Sequence, residues 1–390
     1  MEKSKITWWS AIVIVVVSVV IAGLMTRFLS TDFSTIDIFA PIEKRVDFTI
    51  TDIYNAVMEN MTEREISQDV IVISTDSCDR DGIADAIRKV SDLGAKAIGL
   101  DIEFLVPEED NANLLSAVLY TDNLVNATSI ARVNDSIFER KPLSFFEEEF
   151  IDDLKYVGYV NLNASYSWNV VRTFRPYVLV GEDTVPSMSL ALAQVANKEC
   201  VSKLLERNEK YTIIDFTSKQ IKTISAHRLD SLDIADQIKN RVVLLGDTKT
   251  TKDLYLTPLH DPVPGVLIHA YALQTILDTS FIEVSKEWQD WTRAILICII
   301  LVSILLLANT INIEMLKYII NISVRLLLLF FMYRLVIRGC RAYVDSHMYV
   351  DYTISVLMLG FGTLAFDIVY AIYGLIILIV QGIKQKQNKK

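Results

Sequence analysis

Residues 241–278 read RVVLLGDTKTTKDLYLTPLHDPVPGVLIHAYALQTILD, and this stretch decides the fold. It begins with a short apolar run, Val242–Gly246, that ends in Asp247. A polar loop with three prolines follows. From Val266 onward the apolar residues recur at helical spacing. The pattern predicts a buried strand, a long loop and a helix, at the point where a polar domain gives way to a strongly apolar segment.

The composition of the chain restricts its partners. The 390 residues are 52% hydrophobic and carry a formal net charge of −10, with the apolar excess at the two ends and most of the acid in the middle. Nucleic-acid binding needs a basic face, so this charge argues against a nucleic-acid partner. The four cysteines form no CxxC pair and do not predict a metal site. A Cys78–Cys200 disulfide stays open, because sequence cannot show proximity.

Four apolar segments are predicted to cross a membrane. They are residues 6–28, 291–308, 318–337 and 352–380. The first three are close to the roughly 20 residues that a spanning helix needs, and the fourth is long enough to tilt or to exceed the bilayer. The first is favoured as an uncleaved anchor over a signal peptide, because it is long and no A-x-A site follows it. Lysines precede the first span and crowd the basic tail 381–390, so the positive-inside rule places both termini in the cytoplasm and residues 30–287 outside it.

Two opposite charges fall inside the last two predicted spans. Arg325 lies near the middle of one span and Asp367 near the middle of the next. The predicted outside loop between them, 339–351, is short, so we expect antiparallel neighbours that bring the two charges to equal depth. An ion pair would offset the cost of each charge in lipid. Such a pair would either fix helix packing or serve signalling or a proton relay, and both interpretations stay open.

The segment between the first two spans shows an alternation of strands and helices. Strands are predicted at 69–76, 95–104 and 123–130, and helices at 80–93 and 113–120. This β-α-β-α-β order predicts parallel strands with helical crossovers. Successive antiparallel strands are predicted at 156–162 and 170–180, and a helix at 186–197. The predicted fold class is therefore an α/β extracytoplasmic domain with a mixed sheet, plus four transmembrane α-helices.

Acidic residues follow three of the predicted strands. They are Asp76, then Asp101 with Glu103, then Asp247. The carboxyl ends of parallel strands line the ligand crevice of an open sheet. Together with His269 or His260 these acids could hold a divalent cation or recognise a cationic or hydroxyl-rich ligand. The alternative is that the acids cap helices and satisfy loop amides.

Motifs for catalysis and cofactor binding are missing from the sequence. It contains no GxSxG, HExxH, GxxxxGK[ST] or GxGxxG. We therefore expect neither an enzyme nor a bound cofactor.

The order of the motifs resembles the type 2 CHASE domain, a sensory extracellular domain associated with cyclases and histidine kinases. The resemblance rests on VIVISTD, AKAIGLDIEF, GYVNL, VVRTFRP, PSMSLALA and the TP and PGVLIHA motifs of residues 241–278, in that order. It covers residues 35 to 285, and the anchor and closing spans also fit. It implies an extracytoplasmic sensor that feeds a cytoplasmic output, and it carries over no ligand-binding residue.

We therefore expect a bacterial inner-membrane sensory protein with a periplasmic domain. Ten residues follow Val380, so the signal is expected to pass through the membrane helices, which lie in lipid, to a separate membrane or cytoplasmic partner. A homo-oligomer stays open. The alternative is a non-catalytic scaffold subunit of an envelope complex. A metal-dependent periplasmic enzyme is the third hypothesis.

Overall fold

A computed structural model describes residues 8–29, 55, 64–107, 111–132, 138–150, 152–164, 170–231, 233–250, 253–259 and 261–387. The chain divides into two compact units. Arg45–Ile282 forms an α/β unit, and Met1–Lys44 with Glu283–Lys390 forms a helical unit.

Eleven helices are found within the described residues. They are α1 (Trp8–Leu29), α2 (Arg80–Asp92), α3 (Ala112–Tyr120), α4 (Phe145–Glu149), α5 (Met188–Ala196), α6 (Lys198–Glu206), α7 (Ala235–Ile238), α8 (Gly265–Leu277), α9 (Glu287–Asn309), α10 (Glu314–Ser346) and α11 (Thr353–Gln387). A short 3-10 helix, Ala226–Arg228, precedes α7.

The strands, again within the described residues, are numbered in chain order. They are β1 (Glu65–Ser74), β2 (Ala97–Asp101), β3 (Leu124–Arg132), β4 (Phe138–Lys141), β5 (Tyr156–Tyr159), β6 (Asn163–Ala164), β7 (Val171–Phe174), β8 (Tyr177–Val180), β9 (Asp183–Pro186), β10 (Thr212–Ile213), β11 (Lys219–Ser225), β12 (Val242–Gly246), β13 (Leu254–Tyr255), β14 (Val263–Pro264), β15 (Glu283–Val284) and β16 (Met348–Tyr349).

A seven-stranded sheet forms the centre of the α/β unit. Its order is β11-β1-β12-β2-β3-β4, and β5 also pairs with β3. All of these pairings are parallel except that of β3 with β4. The strand β12 is the last of these seven strands in the chain but lies between β1 and β2. Its register aligns Ser74, Gly246 and Asp101, so three strands end side by side.

Helices cover both faces of this sheet. In β1, Val70 and Val72 point to the face that packs against α5 and α8. The alternate residues Ile71 and Ile73 point to the face that packs against α2 and α3. Side chains alternate along a strand, so a strand buried on both faces is apolar at nearly every position. This explains the continuous apolar runs in the sequence.

The predicted β-α-β crossovers are confirmed, but the antiparallel portion differs from expectation. The strand β5, predicted to pair antiparallel with the next one, instead runs parallel to β3 in the main sheet. The single strand predicted at 170–180 is two strands, because Pro176 lacks an N–H and interrupts the ladder. Of these, β7 pairs with β10 and β6, while β8 forms a hairpin with β9.

The edge strand β11 was not predicted. It pairs in parallel with β1 and has two buried side chains, Ile221 and Ile224, that pack on opposite faces of the sheet. Two apolar residues separated by lysine and threonine match neither a helical nor a strand period closely. Only the neighbouring strand shows where this segment belongs.

Three helices of the helical unit are long and apolar enough to cross a membrane, rather than the four that were predicted. They are α9, α10 through Tyr343, and α11 through Ile383. The described apolar part of the expected first span, Ile12–Leu24 within α1, is shorter than that. Still, α1 packs closely into the unit. Ile14 and Ala22 are buried in one cluster with Cys298 and Leu301 of α9 and with Met358 of α11.

The predicted outside loop 339–351 is mostly helical. The helix α10 continues to Ser346, because Cys340 and Tyr343 are buried there and stabilise turns that hydropathy alone would exclude. Just beyond its end, β16 pairs in parallel with β15, which precedes α9. Within the helical unit, the entry to α9 is therefore hydrogen-bonded to the connection between α10 and α11. Likewise, α11 extends through Gln387 into the predicted tail.

Candidate ligand site at the carboxyl edge of the sheet

The three strand-end acids lie on adjacent strands at one edge of the sheet. Asp76 follows β1, Asp247 follows β12 and Asp101 ends β2, and these strands neighbour one another in that order. The carboxyl edge of a parallel sheet is where α/β proteins bind ligands. The three acids nevertheless differ in their surroundings.

The carboxylate of Asp76 is fixed by hydrogen bonds from neighbouring residues. Its carboxylate accepts hydrogen bonds from the backbone N–H of Thr248 at 2.6 Å, from the Thr248 hydroxyl at 3.0 Å and from the Ser74 hydroxyl. Burial raises the pKa of Asp76, but the hydrogen bonds from Ser74 and Thr248 outweigh it and hold that pKa well below its usual range. This carboxylate connects β1 to the segment after β12.

Asp247 organises the loop that follows its own strand. Its Oδ1 accepts from the backbone N–H of Lys249 at 2.8 Å and of Thr250 at 3.0 Å, and its Oδ2 accepts from the Thr250 hydroxyl. A carboxylate that satisfies amides two and three residues ahead forms an Asx turn. Both Asp76 and Asp247 therefore match the alternative in which the acids satisfy loop amides.

Asp101 has a different environment. No hydrogen bond or ion pair to its carboxyl group is found in the described part of the chain. Burial raises the pKa of Asp101 to about 7. Burial also raises the pKa of Asp253, and the negative charge of Asp101 raises it further. The two carboxyl groups are thus close enough to interact, and at neutral pH they share less than two negative charges.

Asp253 and Tyr255 belong to this crevice, although sequence reasoning missed both. The loop after β12 returns through the short pair β13–β14, with Tyr255 opposite Val263. Hydrogen bonding by the Tyr255 hydroxyl and by the Gly265 backbone N–H acts to lower the pKa of Asp253. Asp253 thus lies at the N-terminus of α8, where a negative charge is favoured. Burial, then the Asp253 charge, raises the pKa of Tyr255 to about 12.

Two glycines allow these elements to approach closely. A Cβ at Gly265 would lie 2.6 Å from Oδ2 of Asp253. A Cβ at Gly246 would lie 2.8 Å from Cγ2 of Val266 and 3.2 Å from the Asp101 carbonyl oxygen. The first turn of α8 can therefore lie against the ends of β12 and β2 only because both positions lack a side chain.

His269 lies one turn into α8 and is 5% exposed. Its Nε2 lies 3.1 Å from the carbonyl oxygen of Val160. A carbonyl only accepts, so Nε2 carries the proton and donates. Burial lowers the pKa of His269 to about 4, although the bond to Val160 and the Asp253 charge oppose this. The imidazole is therefore neutral at pH 7 and acts first as a packing and positioning group.

The remaining predicted site residues do not join the crevice. Glu103 is exposed, and no polar contact to it is found among the described residues. His260 lies outside the described residues. Within those residues no three His, Cys, Asp or Glu side chains are placed together to hold a metal ion. The mutual effects on their pKa values group Asp101, Asp253, Tyr255 and His269 as the candidate site, which is called the crevice below.

In the helical unit, the structure brings Arg325 and Asp367 together. Nη2 of Arg325 lies 2.7 Å from Oδ1 and 2.6 Å from Oδ2 of Asp367. The antiparallel arrangement of α10 and α11 places the two residues side by side, near the middle of their apolar stretches. The predicted ion pair is therefore present. Whether it fixes helix packing or serves signalling or a proton relay stays a prediction.

The open question of a Cys78–Cys200 disulfide has a structural answer. All four cysteines are free. Cys200 is buried in the core on the α5–α8 face of the sheet, and its thiol donates to the Leu277 carbonyl at 3.3 Å. Cys78 packs against the core on the opposite face. The sheet separates the two thiols, so they cannot meet.

Comparison with known proteins gives one family. A family model described as the CHASE2 domain matches residues 12–308. Neither the curated proteins nor the solved structures gave a match.

Proposed function

Because this chain belongs to the CHASE2 domain family of sensory extracellular domains, we propose that it is a membrane receptor whose crevice binds a small cationic or hydroxyl-rich ligand. Its helical unit contains three helices that can cross a membrane. The chain is thus a membrane protein with an extracellular sensory domain. The ligand and the route of the signal are the parts that we propose.

The carboxyl group of Asp101 carries the ligand proposal. It ends a central strand, has no hydrogen-bond partner among the described residues, and keeps a raised pKa beside Asp253. A partly buried carboxyl group without a partner gains from an incoming donor or cation, and the gain is larger than for an exposed carboxyl group. The Tyr255 hydroxyl and the neutral His269 supply further polar groups nearby. This set supports the binding of a ligand with donors or a positive charge.

The helix α8 is the proposed route from the ligand to the membrane. Its N-terminus is bonded to Asp253, and the chain runs from its end at Leu277 to the start of α9 at Glu287 in a short segment. A ligand that changes the charge on Asp101 and Asp253 would favour one position of α8 over another. For a signal to result, the ligand must bind the two arrangements with different affinity. We propose that a separate protein partner receives it.

The proposed topology has four spans with α1 as the fourth. The support is that α1 buries Ile14, Ser18 and Ala22 against α9 and α11, as a helix of one bundle does. The lysines near both ends support a topology with both termini in the cytoplasm of a bacterium and the α/β unit in the periplasm. Reporter fusions that are active only in the cytoplasm, joined at each terminus, test this. An inactive reporter at either end would contradict it.

Ligand binding is tested on the full-length protein in lipid nanodiscs. Spermidine, calcium, magnesium and a set of simple sugars serve as probes, and thermal unfolding at pH 8 is the readout. We expect one probe to raise the melting temperature of the wild type and of Glu103→Gln, the exposed control. Asp101→Asn should lose that increase. An increase that survives in Asp101→Asn, or no increase with any probe, would reject the crevice as a receptor site for these classes.

A scaffold subunit of an envelope complex is the second candidate function. It is favoured by Asp76 and Asp247, whose carboxylates accept hydrogen bonds from nearby residues of the chain and so have a structural role that needs no ligand. A scaffold would show no probe-dependent change in melting temperature, yet would retain a partner when the full-length protein is purified from membranes. Loss of that partner on addition of a probe would favour the receptor instead.

A further inference from the structure

The ion pair between Arg325 and Asp367 lies on an open face of the helical unit. Each of the two side chains is 47% exposed. The apolar stretches that contain them are Glu314–Tyr343 and Thr353–Ile383. At about 1.5 Å per residue, Arg325 lies roughly 16 Å from the start of its stretch, and Asp367 roughly 21 Å from the start of its own. The pair is therefore in the hydrocarbon region, where lipid offers no hydrogen bonds.

Part of the bonding capacity of this pair is unused. Both contacts to Asp367 come from Nη2 of Arg325. For Nε and Nη1 of Arg325 no hydrogen bond is found in the described part of the chain. A guanidinium has five N–H donors, and a carboxylate can accept about four bonds. The same small patch thus presents free donors and free acceptors side by side, which makes it complementary to itself.

Small residues lie beside Asp367 on the same side of α11. Ala371 and Gly374 follow it at the spacing of one and two helical turns, and Ala371 is exposed. A Cβ at Gly374 would have no atom within 4 Å. Small residues on a membrane helix let a second helix approach closely, so that polar groups can meet across the contact. The surface formed by Arg325, Asp367, Ala371 and Gly374 is here called the polar membrane face.

We propose that the polar membrane face is the contact between two copies of this chain. Two copies in one membrane are related by a two-fold axis along the membrane normal, which places identical residues at identical depth. Arg325 of one copy then meets Asp367 of the partner subunit, and the reverse contact forms by symmetry. Another membrane protein would need its own arginine and acid at this depth, whereas a second copy has both. This inference does not depend on the ligand crevice.

Charge variants of the full-length protein separate a contact between chains from one within a chain. Arg325→Asp leaves two acids on the face, and Asp367→Arg leaves two bases. Two differently tagged copies are co-expressed, and co-purification from membranes is measured. We expect each variant to associate with itself roughly tenfold less than the wild type, in line with the known strength of interhelical polar contacts. The mixed pair of one variant with the other should recover wild-type association. Mixed copies that co-purify no better than matched ones would overturn the proposal.

Cross-linking tests the same face without altering its charges. Ala371→Cys is introduced into the full-length protein, and membranes are treated with a short bis-maleimide. Ile300→Cys, on the exposed side of α9, is the matched control, because Ile300 is 61% exposed. We expect a product of twice the chain mass for Ala371→Cys only. Equal dimer from both positions, no product, or a product containing a different protein would overturn the proposal.

Discussion

At the scale of single residues, the partly buried Asp101 and the buried His269 have pKa values shifted in opposite directions. Burial raises the pKa of Asp101 to about 7 and lowers that of His269 to about 4. At pH 7 Asp101 is therefore about half ionised, whereas His269 is neutral, because burial disfavours the charged form of each group. The stability of the α/β unit should depend on pH through both of them.

Asp101→Asn should stabilise the unit at alkaline pH. The folded pKa of Asp101 lies above its unfolded value near 3.9, so its contribution is complete below that value and is lost as the pH rises through about 7. Removing the charge should raise the free energy of unfolding at pH 8 by about 2 kcal/mol, after allowance for partial solvent access. Urea unfolding at pH 5 and pH 8 measures this.

The control for Asp101→Asn is Glu103→Gln, which should show the same difference in free energy of unfolding between pH 5 and pH 8 as the wild type.

The effect of His269 on stability has the opposite pH dependence. Its stability contribution is present above pH 6.5 and is lost as the pH falls through about 4. The Asp101→Asn variant should therefore gain stability from pH 4 to 6.5 and change little above that. A wild-type pH profile in this variant would contradict the assignment.

Asp76→Asn should destabilise the unit. Asparagine keeps one acceptor oxygen, so if that oxygen accepts from the Thr248 N–H, the NH2 group faces the Ser74 hydroxyl, which then loses its acceptor. The expected loss is about 1–3 kcal/mol at pH 7. Because the folded pKa of Asp76 is lowered, its contribution is present above the unfolded value near 3.9 and is lost as the pH falls below it. Chemical unfolding at pH 7 and pH 3 measures both effects.

Asp122→Asn is the matched control for Asp76, because Asp122 is 95% exposed and forms a solvent-exposed ion pair with Lys155 at 3.4 Å. Such a surface substitution should change stability by less than about 0.5 kcal/mol. Equal effects of the two substitutions would show that the Asp76 network contributes nothing specific.

At the scale of elements, α8 joins the features that the sequence pointed to separately. It is buried on nearly all sides, packs against α5 and contacts β1. It also donates its first N–H to Asp253. The apolar spacing after Val266 predicted the helix correctly, since periodicity reports burial. The position of its N-terminus against Asp253 could not be predicted, since it depends on the return of the loop through β13 and β14.

Gly265→Ala should loosen the start of α8. The added Cβ would lie 2.6 Å from Oδ2 of Asp253, so the carboxylate must leave the helix N-terminus. We expect a loss of about 1–2 kcal/mol, from the helix-terminus interaction and the lost hydrogen bond. In a double-mutant cycle with Asp253→Ala, the combined loss should be smaller than the sum, because the clash disappears. Additive losses in thermal unfolding would contradict this contact.

At the scale of the whole molecule, the central sheet separates what lies on its two faces. Each face carries its own hydrophobic core, and the two cysteines of the α/β unit lie in different cores. Cys78 belongs to one face and Cys200 to the other. An extracellular location permits disulfides, but two thiols on opposite faces of a sheet are too far apart to form one.

Both of these cysteines should be reduced in the mature protein. Protein purified without reductant, denatured and alkylated should carry a label on Cys78 and on Cys200 when analysed by mass spectrometry. Its melting temperature should not fall on addition of reductant. An unlabelled pair that becomes labelled only after reduction would show that the two faces are not arranged as described.

The sequence by itself determined what depends on local patterns. Hydropathy predicted α9, α10 and α11. The spacing of apolar residues predicted the β-α-β crossovers. The acids that follow the predicted strands, Asp76, Asp101 and Asp247, were correctly expected at one edge of the sheet. These features follow from burial of neighbouring residues along the chain, which a sequence records directly. The meeting of Arg325 with Asp367 also follows, since helix length and a short connection set their depth.

Only the tertiary structure decided what depends on distant backbone pairing. The insertion of β12 between β1 and β2, the parallel course of β5 and the edge strand β11 are set by hydrogen bonds between segments far apart in the chain. The same pairing brings Asp253 and Tyr255 to Asp101, while Glu103 stays exposed. Backbone donors and acceptors are identical at every residue except proline, so the sequence does not record which strands pair, and the membership of the crevice follows from that pairing.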